Sequence, residues 1–66
     1  MTNRVHILRK NKKITQEELA RMVGVTRQTI ISIESGKYTA SLTLALKLSR
    51  VFNIPVEQIF ILEDGE

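Results

Sequence analysis

The stretch QEELARMVGVTRQTIISIES, residues 16–35, carries the pattern that decides the fold of this chain. Its fourth, eighth, tenth, fifteenth and eighteenth places are apolar, its fifth is alanine and its ninth is glycine. Apolar places at this spacing form a wedge between two crossing helices, a small residue permits their close contact, and glycine tolerates the positive φ of a tight turn. The pattern therefore predicts two short helices joined at Gly24. The wedge would consist of Leu19, Val23, Val25, Ile30 and Ile33, with Ala20 at the crossing.

Helix start and stop signals on both sides of this stretch predict an all-α domain of five helices. Thr15 and Glu18 match a capping box before the second helix, which Gly24 ends. Thr26 suits the N-cap of the third helix, and Ser41 that of the fourth. The first helix is predicted over about residues 2–12, the third from Thr26 to near Gly36, and the fourth to about residue 52. Pro55 suits the first position of a short fifth helix that ends near residue 59 or 60.

The length of 66 residues fits one domain, residues 1–66, and its charges are unevenly distributed. All ten Lys and Arg lie in residues 1–56 against three Glu, a net charge of +7, whereas residues 57–66 carry four acidic residues, or −4. A basic body favours polyanions through counterion release, and an acidic tail should lie away from the contact face. The alternative is a solvated surface that is basic by chance.

Several classes of function are disfavoured by the composition. The chain has no cysteine and only one histidine, His6, which argues against a disulfide framework and a metal site. It has no glycine-rich phosphate loop and no plausible catalytic triad around His6, so we expect neither an enzyme nor a cofactor. No apolar run approaches the roughly 20 residues of a membrane span. We expect a soluble, cytoplasmic protein without a small-molecule ligand.

The chain resembles the phage repressor and Cro (XRE) class of helix-turn-helix transcription regulators. The resemblance covers about residues 3–60 and rests on ITQEELA (14–20), VGVTRQTI (23–30), IESGK (33–37) and NIPVEQIF (53–60). It implies a repressor-like domain that binds double-stranded DNA, with residues 16–35 as the reading unit and the third helix in the major groove. We also expect a short strand at residues 61–63, paired either with its symmetry mate or with the N-terminal residues.

The same resemblance implies the roles of individual side chains. Arg27, Gln28 and Ser32 would face the bases, because Arg pairs with guanine, Gln with adenine and Ser with either. Alternatively, Arg27 and Gln28 simply solvate an exposed helix. Arg9 and Glu34 match a recurrent structural ion pair. The positions that correspond to DNA backbone contacts are Gln16, Thr26, Thr29, Ser35, Lys37 and Tyr38. For Thr26 a plain N-cap, and for Tyr38 packing over the loop, are equally compatible with the sequence.

The fourth helix carries more apolar surface than one small core requires. At 100° per residue, Leu42, Ala45, Leu48 and Phe52 form a core stripe, and the neighbouring leucines and Val51 widen the arc to about 220°. Residues 59–62, IFIL, are also apolar. We therefore expect a homodimer on a palindromic operator, paired through residues 44–63. The predicted interface residues are Leu44, Val51, Ile59 and Ile61. The alternative is that these residues complete the monomer core.

Two further alternatives stay open in the sequence. Ile31 either contacts a thymine methyl group or packs against the second helix. The domain as a whole either represses transcription as a DNA-binding protein or serves as a protein-interaction module, such as an antitoxin or a co-activator. The polar start of the third helix favours DNA, whereas the wide apolar face leaves room for a protein partner.

Overall fold

The computed structural model describes residues 1–66 as four α-helices with a two-stranded sheet and one 3₁₀ turn. In chain order the elements are β1 (Thr2–Asn3), α1 (Val5–Asn11), α2 (Gln16–Val23), α3 (Arg27–Glu34), α4 (Leu42–Phe52), the 3₁₀ turn (Val56–Gln58) and β2 (Phe60–Ile61). No helix combines the length and the apolarity that crossing a membrane requires.

The two central helices begin and end where their local sequence predicts. At the start of α2, Thr15 Oγ1 accepts a hydrogen bond from Glu18 N–H at 3.0 Å, and Glu18 Oε1 accepts one from Thr15 N–H at 2.9 Å. The hydrogen bond from the Thr15 backbone N–H to the carboxylate lowers the pKa of Glu18. Gly24, at φ +74°, ends α2 in the left-handed conformation. Thr26 then caps α3 by accepting from Thr29 N–H, so the turn between the helices is short and well defined.

The core lies where α1, α2, α3 and α4 meet the 3₁₀ turn. The largest core side chains have no exposed surface, and α3 contributes two isoleucines to the core. The fully buried residues of this group are Val5, Leu19, Ile30, Ile33, Leu48 and Ile59. Ala20, which is 1% exposed, provides the small side chain predicted at the crossing. The apolar wedge thus fixes the angle of α3 against α2.

The first helix is shorter than predicted, because the residues before Arg4 are extended. Thr2 pairs with Ile61, and Asn3 with Phe60, in an antiparallel ladder. Asn3 Oδ1 also accepts from Val5 N–H at 3.1 Å, and its Nδ2 donates to Ile33 O at 2.9 Å. These bonds hold residues 2–3 against the end of α3, so α1 begins only at Val5. The predicted short strand is present, but at residues 60–61 rather than 61–63. It pairs with the N-terminal residues of the same chain, which is the second of the two expected alternatives.

The predicted fifth helix is wrong. Pro55 is extended, with ψ at 150°, and only Val56–Gln58 follow as one 3₁₀ turn. The chain must enter β2 at Phe60, and Arg4 N–H donates to Ile59 O at 2.9 Å just before it does so. Sheet pairing therefore leaves too few residues for an α-helix.

The core face of α4 is also rotated from the predicted stripe. Leu44, Ala45 and Leu48 are buried, whereas Leu42 is 74% exposed. Two predicted interface residues are thereby corrected: Leu44 is 5% exposed and Ile59 0%, so both pack inside the single chain. The surplus apolar surface of α4 lies instead at Leu42 and Leu46, one helical turn apart.

The capping box yields a stability prediction. Thr15→Ala removes the acceptor for the Glu18 amide and should lower the free energy of unfolding by about 1 kcal/mol. Thr15→Ser keeps a hydroxyl in place and is the matched control. Urea denaturation followed by circular dichroism measures both variants. Equal stabilities for the alanine and serine variants would contradict the capping role.

Candidate nucleic-acid interface

Helix α3 presents one polar flank opposite its buried isoleucines. Gln28 and Ser32 are one turn apart and therefore share a face of the helix, with Gln28 exposed and Ser32 half-buried. Arg27 lies about 100° away from Gln28 around the axis. The base-reading candidates thus occupy two different sides of α3.

A shallow groove runs along the Gln28 side, and we call it the α3 groove. It is lined by Thr26, Gln28, Thr29, Ser32, Lys37 and Tyr38. The sequence predicts all six as DNA contacts, and none is acidic. Tyr38 is 47% exposed and is not buried under the loop. The fold therefore brings hydrogen-bond donors and acceptors together on one concave surface.

Thr26 is the N-cap of α3 and also lines the α3 groove. Its hydroxyl accepts from Thr29 N–H at 3.3 Å, as an N-cap does, and lies 3.1 Å from the Thr29 hydroxyl. Both residues remain on the wall of the α3 groove. Ser35 is exposed at the end of α3, where its hydroxyl donates to Ser32 O at 2.9 Å. Ile31 is half-buried, which leaves both of its alternatives open.

A second groove lies where α1 turns into α2, and we call it the α1–α2 groove. It is lined by Arg9, Lys10, Lys13, Ile14, Thr15, Gln16, Glu17 and Arg27. Gln16 and Arg27 are therefore separated from Gln28 and Ser32. Lys10 and Lys13 do not stand out in the sequence, because an exposed lysine has the same local pattern in a solvated face as in a binding groove.

A buried ion pair connects these surfaces to the core. Arg9 Nε lies 2.7 Å from Glu34 Oε2, and the two side chains are only 9% and 6% exposed. Arg9 Nη1 also donates to Ile14 O at 2.9 Å. The predicted Arg9–Glu34 pair is confirmed, and it joins α1 to the last residue of α3.

The Glu34 carboxylate also lies within hydrogen-bond distance of Gln16 and His6. Its Oε1 accepts from Gln16 Nε2 at 3.2 Å and lies 3.2 Å from His6 Nδ1. Burial raises the pKa of Glu34, but hydrogen bonds from Arg9, Gln16 and His6 outweigh burial and hold the pKa below its ordinary value of 4.5. Gln16 is thus oriented by the carboxylate at the far end of α3, with a second amide N–H free for an anion.

Comparison with known proteins identifies the architecture. The helix-turn-helix family model matches residues 5–59. The chain belongs to the helix-turn-helix family. The match includes both crossing helices and all of the residues that line the two grooves.

This helix-turn-helix chain is similar to regulators over its full length. It is 50% identical over 66 residues to an uncharacterized HTH-type transcriptional regulator of Methanocaldococcus jannaschii, with 100% of both chains covered. It is 47% identical over 64 residues to the HTH-type regulator YgzD of Bacillus subtilis, with 97% of each covered. Among solved structures it is similar to the restriction-modification controller protein C.AhdI of Aeromonas hydrophila, with a TM-score of 0.78, 33% identity and 86% of each chain covered.

These similarities place the helix-turn-helix chain among DNA-binding transcription regulators of the XRE type rather than among enzymes. The family assignment agrees with the expectation from residues 14–20, 23–30, 33–37 and 53–60. The repressor-like fold is correct apart from the number of helices.

The buried ion pair makes a prediction for stability and pH. Glu34→Ala leaves Arg9 buried without its partner and should lower the free energy of unfolding by about 3 kcal/mol or more at pH 7. The Arg9→Met/Glu34→Leu double variant removes both charges and should recover part of that loss, because no lone charge remains.

The pH dependence follows from the lowered pKa of Glu34. A carboxyl whose pKa is lower in the folded state stabilises the fold above its unfolded pKa, and this contribution is lost as pH falls through the folded value. The wild type should therefore lose more stability than the double variant below about pH 4.5. Urea denaturation at pH 7 and pH 3 measures this difference. Parallel losses in the two proteins would contradict the assignment.

Proposed function

We propose that this chain is a sequence-specific repressor that binds a palindromic operator in double-stranded DNA as a homodimer, with α3 in the major groove. The observation that carries the proposal is the α3 groove. It gathers six polar residues and no carboxylate along the exposed side of a helix fixed by a buried wedge. We expect a transcription regulator of this kind in the cytoplasm.

Gln28 and Ser32 supply the base contacts in this proposal. A glutamine amide fits the N6 and N7 edge of adenine with two hydrogen bonds, and a serine hydroxyl either donates or accepts. The i, i+4 spacing of these residues places them on the same side of α3, along the α3 groove. Helices of this class present such residues to base edges in the major groove.

The remaining residues of the α3 groove would contact the DNA backbone. Lys37 offers a positive charge, while the hydroxyls of Thr26, Thr29 and Tyr38 offer donors to phosphate oxygens. Gln16 would hydrogen-bond a phosphate from the start of α2, and Ser35 would contact the DNA backbone at the edge of the interface. Such contacts position a protein on DNA without selecting a sequence. Repression then requires only that the bound protein occupies a promoter.

The homodimer is supported by apolar surface that the single chain leaves exposed. A groove formed by the N-terminus, α4 and β2 has six apolar lining residues of seven, and we call it the apolar groove. Its lining residues are Met1, Thr39, Ala40, Leu42, Ala45, Val56 and Phe60. Ile61 and Leu62 follow directly and are 41% and 66% exposed. Ile61 stays a predicted interface residue, whereas Val51, about 180° from Leu42 around α4, packs against the core of the single chain.

A second copy is the occupant that DNA geometry favours. Two recognition helices bind successive major grooves when a dimer holds them about 34–36 Å apart. The apolar groove lies on elements other than α2 and α3, so pairing there leaves both reading helices free. One reading unit of this size offers few contacts, and pairing doubles them.

The base-reading role of Gln28 is tested by binding to the DNA sequence that the wild type enriches from a random pool. Gln28→Ala should lose about 5- to 150-fold of the preference for that sequence over random DNA, the range of one bidentate contact. Lys37→Ala is the matched control, because losing a phosphate contact weakens both DNAs about equally. Fluorescence anisotropy measures the six affinities of the wild type and the two variants for both DNAs. Equal losses of Gln28→Ala on both DNAs would contradict base reading.

The proposed dimer is tested by introducing a charged residue into the apolar groove. Leu42→Glu should shift the chain from dimer to monomer at tens of micromolar, because Leu42 is 74% exposed and the change spares the core. Ile7→Glu, at a residue 52% exposed on α1, is the control and should remain dimeric. Sedimentation equilibrium distinguishes the two states. A monomeric wild type at that concentration would contradict the homodimer.

The protein-interaction alternative gives a different outcome in the DNA experiment. A module that binds another protein through its apolar surface would select no sequence from the random pool, and substitution of Arg27 or Gln28 would leave its protein partner bound.

A further inference from the structure

Arg27 is oriented differently from the other two residues predicted to read bases. Gln28 and Ser32 line the α3 groove, whereas Arg27 lines the α1–α2 groove with Lys10, Lys13 and Gln16. The helix explains this separation, because Arg27 is rotated by about 100° from Gln28 and shares a face of α3 with Ile31, one turn later. The Arg27 side chain is thus directed toward the turn between α1 and α2.

The α1–α2 groove has an excess of positive charge. Arg9 is neutralised there by Glu34, but Lys10, Lys13 and Arg27 form no ion pair. Glu17 is the only acidic residue that lines the groove. Three cations therefore face one carboxylate at a surface that is open to solvent.

The turn after α1 brings two of these cations together. Lys13 has a φ of +61°, in the left-handed region, and its N–H donates to Lys10 O at 3.0 Å. This conformation closes the end of α1 and places both lysines on the wall of the groove. Glu34, in turn, holds the Gln16 amide on the same wall. The cations and the amide come from three elements that the core fixes relative to one another.

We infer that the α1–α2 groove binds a phosphate of the DNA backbone, and that Arg27 belongs to this phosphate clamp rather than to the base-reading set. The phosphate clamp consists of Lys10, Lys13, Gln16 and Arg27. Guanidinium and ammonium groups donate charge-assisted hydrogen bonds to phosphate, and the amide of Gln16 adds a neutral donor. This inference rests on the proposed function and narrows it, because sequence preference then depends on the Gln28 and Ser32 side of α3.

The role of Arg27 is tested with two substitutions on the enriched sequence and on random DNA. Arg27→Ala should weaken both DNAs by the same factor. Arg27→Lys should recover most of this loss on both, because a lysine serves a phosphate as a point charge. A guanine-reading arginine gives the opposite result, since lysine does not reproduce its planar bidentate fork. Loss of about 5- to 150-fold of the sequence preference in Arg27→Lys would overturn the inference.

The clamp as a unit is tested by salt dependence on random DNA. Lys13→Ala and Arg27→Ala should each reduce the slope of log K against log salt by about one, and the double variant by about two. Arg50→Ala, at an exposed cation on α4 that lines neither DNA groove, is the matched control with an unchanged slope. Slopes of both clamp variants equal to that of the wild type would overturn the clamp.

The proposed function and the phosphate clamp fail separately. A wild type that binds DNA without preferring any sequence contradicts the proposed function, while the salt slopes on random DNA still test the clamp. A wild type with a clear preference that Arg27→Lys relaxes contradicts only the assignment of Arg27.

Discussion

The apolar wedge between α2 and α3 is the interaction on which the rest of the structure depends. Leu19, Ile30 and Ile33 have no exposed surface, and Ala20 lets the two helices approach closely. Because the chain turns at Gly24 through a single left-handed residue, the wedge leaves little freedom in the crossing angle. Helix α3 therefore projects its polar flank away from the core in a fixed direction, which recognition of a rigid duplex requires.

Glu34 extends this constraint from the core to the surface. It neutralises Arg9 of α1 and hydrogen-bonds Gln16 of α2 from the last residue of α3. Three helices are thus joined at one carboxylate, and Gln16 lines the same groove as Lys10 of α1 and Lys13 of the following turn. In our proposal the two grooves have different roles. One side of α3 selects bases, while the adjacent phosphate clamp positions the protein on the DNA backbone.

Local sequence predicts the centre of this fold better than its ends. Caps and glycine act over a few residues, so Thr15, Gly24 and Thr26 suffice to place α2 and α3. The 3₁₀ turn and the two strands depend instead on the pairing of Asn3 with Phe60, which are far apart in sequence. No local pattern encodes that pairing, and the signals around Pro55 predict a fifth helix in its place.

The candidate site shows the same limit. Periodicity reveals a wide apolar arc on α4 but not which part of it faces the core, so it assigns Leu44 to the interface and Leu42 to the interior, the reverse of what the fold shows. The resemblance supplies Gln28, Ser32 and the ion pair, since these are fixed positions of a shared motif. It does not supply the clamp lysines, whose role depends on which other cations the fold places beside them.

Selection of bound sequences from a random pool of double-stranded DNA tests the central claim most directly, because the operator sequence need not be known in advance. We expect enrichment of a palindrome whose half-sites are centred about 10–10.5 base pairs, one helical turn, apart. Adenine should recur at one position of each half-site, opposite Gln28. Recovery of DNA without any enriched sequence, from protein that is folded and binds the pool, would contradict the claim that α3 reads DNA.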